Sequence, residues 1–421
     1  MVDVVLVVFL LLLAAGPAWW FLVRVDPVVA KREAAAKREA ARAAEAARAS
    51  DAKAAAKAKQ AAAKVAERER KSKAKAAKAK AAETHELQRH VFKLGQDTVR
   101  AVAWSVKGKL LAAASSKSVK VVSNLGREGK AVEQKALNVK SLTSAGHSYP
   151  DRAVALSFTK DSTVLLAALE ESKSLRTYSM RALFSGGDAD EGGITARTPH
   201  EVSVVSASIA PDGSFLVSCG EDTSLAVYGP SGATAQQIDT RSIRNHRSVL
   251  SPDGKLLAVG TFQSDVRIWA IAAGKGGALG AEPAKKVMTA SGHSSGVFDV
   301  AFSADSTRMV TCSKDGSWRL WAVDVRYEAN EDVKCLATGR STLEGDVISR
   351  VALSADASMV ALAVGGGIEL VAIDGANATS VALIPHAHSL PVTALEFADK
   401  ADGLLASGGA DGFLRVWGRP Q

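Results

Sequence analysis

His386-Ala387-His388 sets two imidazoles two residues apart, a pairing that can open a metal site because neutral imidazole is a common metal ligand. No third ligand stands near them, so a metal centre is not expected. Gly126-Arg127-Glu128-Gly129-Lys130 has the glycines and lysine of a phosphate cradle. Its spacing is too short, however, and Ala131 stands where the loop needs Ser or Thr. Gly365-Gly366-Gly367 is better read as a hairpin than as a phosphate loop, and no HExxH zinc helix is present. The three cysteines, Cys219, Cys312 and Cys335, form no CxxC pair and no even-numbered framework, which points to a reducing compartment. Neither an enzyme, a cofactor, a metal nor a small-molecule substrate is expected.

With chemistry unsupported, the elements around these residues become informative. The chain has 421 residues, too many for one ordinary core, and carries a formal charge of +9. That charge is local. Residues 28–87 hold 17 Lys/Arg against 8 Asp/Glu, whereas residues 88–421 hold 35 against 34. An acidic partner of the whole surface is therefore excluded, and one of the segment is not.

Val4 to Val23 is a run of twenty uncharged residues, long enough as a helix to cross about 30 Å of hydrocarbon. Trp19, Trp20 and Phe21 gather at one end, as interfacial aromatics do. A cleaved signal peptide would want basic residues before the run, and Met1-Val2-Asp3 has none. Arg24, Lys31, Arg32, Lys37 and Arg38 all follow it. Positive flanks stay cytosolic, so the expected order is a luminal tail of residues 1–3, a single transmembrane helix over 4–23, and a cytosolic remainder.

Residues 28–87 contain 26 Ala, with no Gly or Pro between Pro27 and Gly95, which predicts a long helix or a partly disordered tether. Lys71, Lys73, Lys75, Lys78 and Lys80 form a stripe that could meet anionic lipid or ribosomal RNA, or simply keep the spacer soluble. No aromatic residues interleave with the charges, so base stacking is unsupported.

From residue 99 a unit recurs: an alternating strand, a polar turn and a second apolar strand. Examples are SASIAPDGSFLVSCG (206–220), RSVLSPDGKLLAVGT (247–261) and VAFSADSTRMVTCSK (300–314). Gly108, Ser162, Gly213, Gly254, Ser306, Ala357 and Gly403 align at its turn, at intervals of 54, 51, 41, 52, 51 and 46 residues. Four units add a third strand with a terminal aromatic: SLAVY, DVRIW, SWRLW and FLRVW. Strand-turn units at such a period indicate radial blades. The unit resembles the WD repeat, with Gly146-His147 and Gly292-His293 as its GH pairs. The expected fold is an all-β seven-bladed propeller over residues 88–421. Only four residues follow Trp417, so its closing outer strand should come from His90–Leu94.

The resemblance also implies a structural tetrad in three blades. The matching positions are His293, Thr311, Asp315 and Trp321; His200, Ser218, Asp222 and Tyr228; and His388, Ser407, Asp411 and Trp417. Such Asp–His pairs look catalytic, but a set repeated blade after blade reads as a staple. Ser172, Gln263 and Gly365 occupy the Asp position in blades two, four and six.

Span, basic spacer and degenerate repeats in this order, with the stretches 251–269 and 313–340, resemble the transducin beta-like protein two family of endoplasmic-reticulum-anchored WD-repeat proteins. That resemblance implies a membrane scaffold facing the cytosol. Its partners would be proteins bound through the propeller faces, including an endoplasmic reticulum stress-sensing kinase that controls translation. Two other readings remain: a ribosome- or RNA-associating protein acting through residues 28–87, and a nucleotide-exchange factor for a small GTPase. The second resembles a propeller family whose anchor follows the ring.

Overall fold

The computed structural model describes residues 86–420, apart from 107, 117, 126–131, 138, 143–147, 191, 275–277, 330, 346 and 399–402. The expected span, the basic spacer with its lysine stripe, Gly146-His147 and the Gly126–Lys130 string lie outside the described residues.

Seven four-stranded antiparallel sheets form the molecule's blades. Their innermost strands are Val99–Trp104, Ala153–Phe158, Val204–Ile209, Asn245–Leu250, Val297–Phe302, Arg350–Leu353 and Val392–Phe397. Each lies beside the next, and the last lies beside the first, so the ring is closed. Third strands exist in all seven blades. Those of blades one and six (VKVVS and GIELVAID) lack the aromatic that marks the others, whereas SLRTYS of blade two carries the buried Tyr178 six residues after Ser172, at the matching position that the repeat alignment overlooked.

Closure uses the strand ahead of the first repeat. Gln88–Lys93 pairs antiparallel with Phe413–Trp417, matching Lys93 to Phe413 and Gln88 to Trp417. The strand therefore begins two residues earlier than His90 and ends one before Leu94. Leu94 is drawn in by its N–H, which donates to the Gly412 carbonyl at 3.0 Å. At the other end of the strand the Gly418 N–H donates to the Leu87 carbonyl at 2.6 Å.

The size problem of a chain this long is solved by dividing the core. Seven apolar clusters lie between successive blades, each fed by two neighbouring sheets. Strands such as LLAVGT (Leu256–Thr261) and MVALAV (Met359–Val364) are buried along their whole length because both their faces meet a neighbour.

The turns between first and second strands share one backbone feature. All seven aligned turn residues adopt positive φ: Gly108 (60°), Ser162 (64°), Gly213 (76°), Gly254 (77°), Ser306 (61°), Ala357 (56°) and Gly403 (68°). A Ser or Thr just before the turn secures it in several blades. Ser303 Oγ, for example, donates to Asp305 at 2.6 Å and accepts the Arg308 N–H at 3.0 Å.

Candidate interaction face and the staples that hold it

Because strands alternate in direction, loops joining an outer strand to the next blade, and those joining second to third strands, share one face of the ring. This is the upper face. The seven aligned positive-φ turns, Leu87 and the short helix Met180–Ser185 lie on the lower one. The histidines and aspartates of the expected tetrads stand on the upper loops.

In blade five Trp321 Nε1 donates to Thr311 Oγ1 at 2.9 Å, and His293 Nε2 lies 2.8 Å from the same hydroxyl. His293 Nδ1 is 3.1 Å from Ser317 Oγ, which donates to Asp315 Oδ1 at 2.6 Å. The carboxylate also accepts the N–H groups of Ser294 and Ser317. Burial holds the His293 imidazole below its ordinary pKa. Burial pushes Asp315 up, but the bonds from Ser317 and Ser294 outweigh it and hold the carboxyl well below its usual range.

Blade three repeats the chain through His200, Ser218 and Tyr228, whose hydroxyl lies 2.8 Å from Ser218 Oγ in place of an indole. Ser224 relays His200 to Asp222. In blade seven Phe413 occupies the relay position, so His388 Nδ1 meets Asp411 directly at 3.0 Å, and Arg415 joins the carboxylate at 3.1 Å. Trp417 and His388 both bond Ser407. Ser224 and Ser317, each two residues after the aspartate, are the staple members that tetrad matching missed.

A hydroxyl, imidazole and carboxylate in series is also the order of a hydrolytic triad. Here Ser218, Thr311 and Ser407 are fully buried and each is shared with an aromatic, so no substrate reaches them. Gly292-His293-Ser294-Ser295-Gly296 has the glycine–serine spacing of a nucleophile elbow, a string that a motif reading must also weigh. It lies between two strands rather than before a helix, and its Ser294 Oγ is turned to Asp315.

The blades without an aspartate at this position are held differently. In blade two the buried Asp151 accepts bonds from Ser172 Oγ (2.7 Å) and from the N–H groups of Arg152, Glu171 and Ser172. In blade six the buried Glu369 accepts Ser341 Oγ, Thr342 Oγ1 and the Thr342 N–H. In blade four Thr240 Oγ1 donates to Asn245, and Arg267 binds the Thr240 carbonyl and Gln263. Gly365 supplies a two-residue hairpin between Val364 and Gly367. His386 stays apart from any ligand set, and the described residues contain no group of three metal-binding side chains.

Nine large apolar side chains are exposed among the described residues, and five of them, Val202, Ile243, Phe262, Val347 and Leu390, sit on upper loops. Between blades four and five that face is recessed by a cavity of about 440 Å³, lined by Arg244, His246, Phe262, Phe298 and Lys314 among others.

The family profile described as "WD domain, G-beta repeat" matches residues 83–123, 194–228, 284–322 and 380–418. Each segment runs from an outer strand through three strands of the next blade, covering blades one, three, five and seven. The fold is a seven-bladed WD-repeat propeller. Three of the four matched blades are those that carry the full staple. Transducin beta-like protein 2 of Mus musculus is 31% identical over 227 residues, 52% of this chain and 50% of its own length. The Homo sapiens protein of the same name is 32% identical over 228 residues, 52% and 49%. The chain thus spans about half the length of the curated relatives it matches, and the family resemblance holds over that half. A solved structure described as "Crystal Structure of Mitotic Checkpoint Complex" matches with a TM-score of 0.61, 15% identity, and coverage of 81% of this chain and 94% of that one. At that identity it supports the propeller fold alone.

Proposed function

We propose that this WD-repeat protein is a non-enzymatic scaffold, anchored by a single span, whose ring gathers protein partners on the cytosolic side of the endoplasmic reticulum. One observation carries the reading: five of the nine large apolar residues exposed among the described residues stand on the upper loops, each on a different loop. Loops held on one face of a rigid scaffold are where binding residues concentrate. The staples give that surface a fixed shape, which lowers the entropic cost of binding.

Support for the anchor is the uncharged run Val4–Val23 with its basic C-terminal flank. Among the described residues no helix is long and apolar enough to cross a membrane. The three free thiols, two of them buried, suit a reducing compartment. The endoplasmic reticulum address, and a role beside a stress-sensing kinase in translation control, come from the family resemblance.

The test is proximity labelling from the full chain, compared with a variant carrying Ile243→Glu and Leu390→Glu. The reading expects a defined set of labelled proteins that the variant loses while its melting temperature holds. An unchanged set would contradict it. Binding of RNA or ribosomes is the second reading, favoured by the excess of nine positive charges within residues 28–87. It requires an affinity that drops steeply with salt, by about 0.7 counterions per single-strand phosphate contact.

A further inference from the structure

The recess between blades four and five has chemistry that the rest of the upper face lacks. Its floor is the His246 ring, packed edge-on to Phe298 with centroids 5.1 Å apart, and tilted against Phe262 at 6.3 Å. His246 Nε2 is buried and has no hydrogen-bond partner among the described residues. Phe262, half exposed, forms one wall, and its loop abuts blade five so tightly that a Cβ on Gly296 would lie 2.9 Å from the Phe262 carbonyl. The rim is cationic. Arg244 is tied to Glu221, while the exposed Lys314 forms no ion pair among the described residues. Burial, and after it the charges of Arg244 and Arg350, hold the imidazole below its ordinary pKa against the opposing pull of Glu221. Ser264, Ser294 and Ser295 supply hydroxyls, and Ile243, on the loop that leads into blade four, is the most exposed large apolar residue described.

We propose that this recess is the docking site for an acidic partner segment, which inserts one aromatic or aliphatic side chain between Phe262 and Phe298 and sets its carboxylates against Lys314 and Arg244. A cavity of about 440 Å³ falls within the size range of small-ligand pockets, roughly 300–1,000 Å³. Apolar walls and a cationic rim are what such a segment needs. His246 and Phe298 lie beneath the rim, so an inserted side chain reaches them and a flat lipid surface does not. The proposal rests on the scaffold reading and names the chemistry of one of its partners.

The test uses the full chain in detergent micelles and fluorescence anisotropy. The probe is a labelled, acetylated pentapeptide with a central phenylalanine flanked on each side by two glutamates. A peptide with lysines in place of the glutamates serves as control. Saturable binding of the acidic peptide is expected, weakened at least tenfold by Phe262→Ala and by Lys314→Glu, with unchanged melting temperatures. Lys334→Glu, on the outer strand of blade five, should leave it intact. Equal binding of the basic peptide, or no saturable binding, overturns the proposal. Binding that survives both recess variants also overturns it but leaves the scaffold reading standing, which fails only in the labelling experiment. Binding to phosphatidylserine vesicles in the absence of peptide binding would assign the recess to lipid and overturn the proposal as well.

Discussion

Asp411 is the most heavily bonded carboxylate of the three full staples. Burial pushes its carboxyl up, but the His388 bond, the charges of His388 and Arg415 and the Ser389 N–H outweigh that and hold it well below the ordinary range. Removing it leaves the buried Arg415 unpaired, so Asp411→Ala should cost about 3–5 kcal/mol. Asp315 has no arginine partner, and Asp315→Ala should cost about 1–3 kcal/mol. Denaturant unfolding at pH 7 checks the ranking, and equal losses would contradict it. The pH dependence follows from the same groups. Burial lowers the pKa of His200, His293 and His388, so below about pH 6.5 the unfolded chain binds more protons and stability falls. The depressed aspartates add stability above about pH 4 that is lost as pH falls through their folded values. Much of this was legible, because the spacing from His to Ser or Thr to Asp to aromatic recurs. Ser224 and Ser317 were not, since a relay hydroxyl is identified by geometry alone. Asp151 and Glu369 were hidden because Asp151 stands on the loop leading into its blade and Glu369 on a third strand, whereas the staple aspartates stand between second and third strands.

At the scale of elements, turn alignment was the strongest signal in the sequence. Every residue it selected lies in the left-handed region, including three that are not glycine. Left-handed backbone costs a non-glycine residue about 1–2 kcal/mol, against about 0.5–1 kcal/mol for the entropy of glycine. Ala357→Gly should therefore stabilise the protein by about 0.5–1 kcal/mol, read as a rise in the denaturation midpoint. Ser306→Gly should gain less, because Ser306 Oγ accepts the Asp253 N–H at 3.1 Å. A fall in stability for Ala357→Gly would show that the turn is not strained. Third strands in blades one and six could not be located from an aromatic they lack, while that of blade two was legible in principle from Tyr178. The closing strand was legible from a deficit, too few residues after Trp417, though its ends were set by pairing. A chain beginning at Gln96 should lose the outer strand of blade seven and denature well before one beginning at Leu87. Equal midpoints would mean that Gln88–Lys93 does not close the ring.

For the whole molecule, the ring was readable because its core is divided: each repeat buries its faces against two neighbours and keeps its own pattern. A surface cavity such as that between blades four and five has no such pattern, since its lining comes from separate loops of two blades. The account depends above all on which side of the membrane the ring occupies. The chain supplies its own reporter. Asn377-Ala378-Thr379 is its only Asn-x-Ser/Thr sequence, and Asn377 is exposed at the start of the outer strand of blade six. A luminal ring would present that site to glycosylation. The direct measurement is protease treatment of sealed microsomes, with glycosidase sensitivity read on the same full-length chain. The account predicts digestion of residues 88–421 and an unmodified Asn377. Full protection of the ring together with a glycan on Asn377 would contradict it.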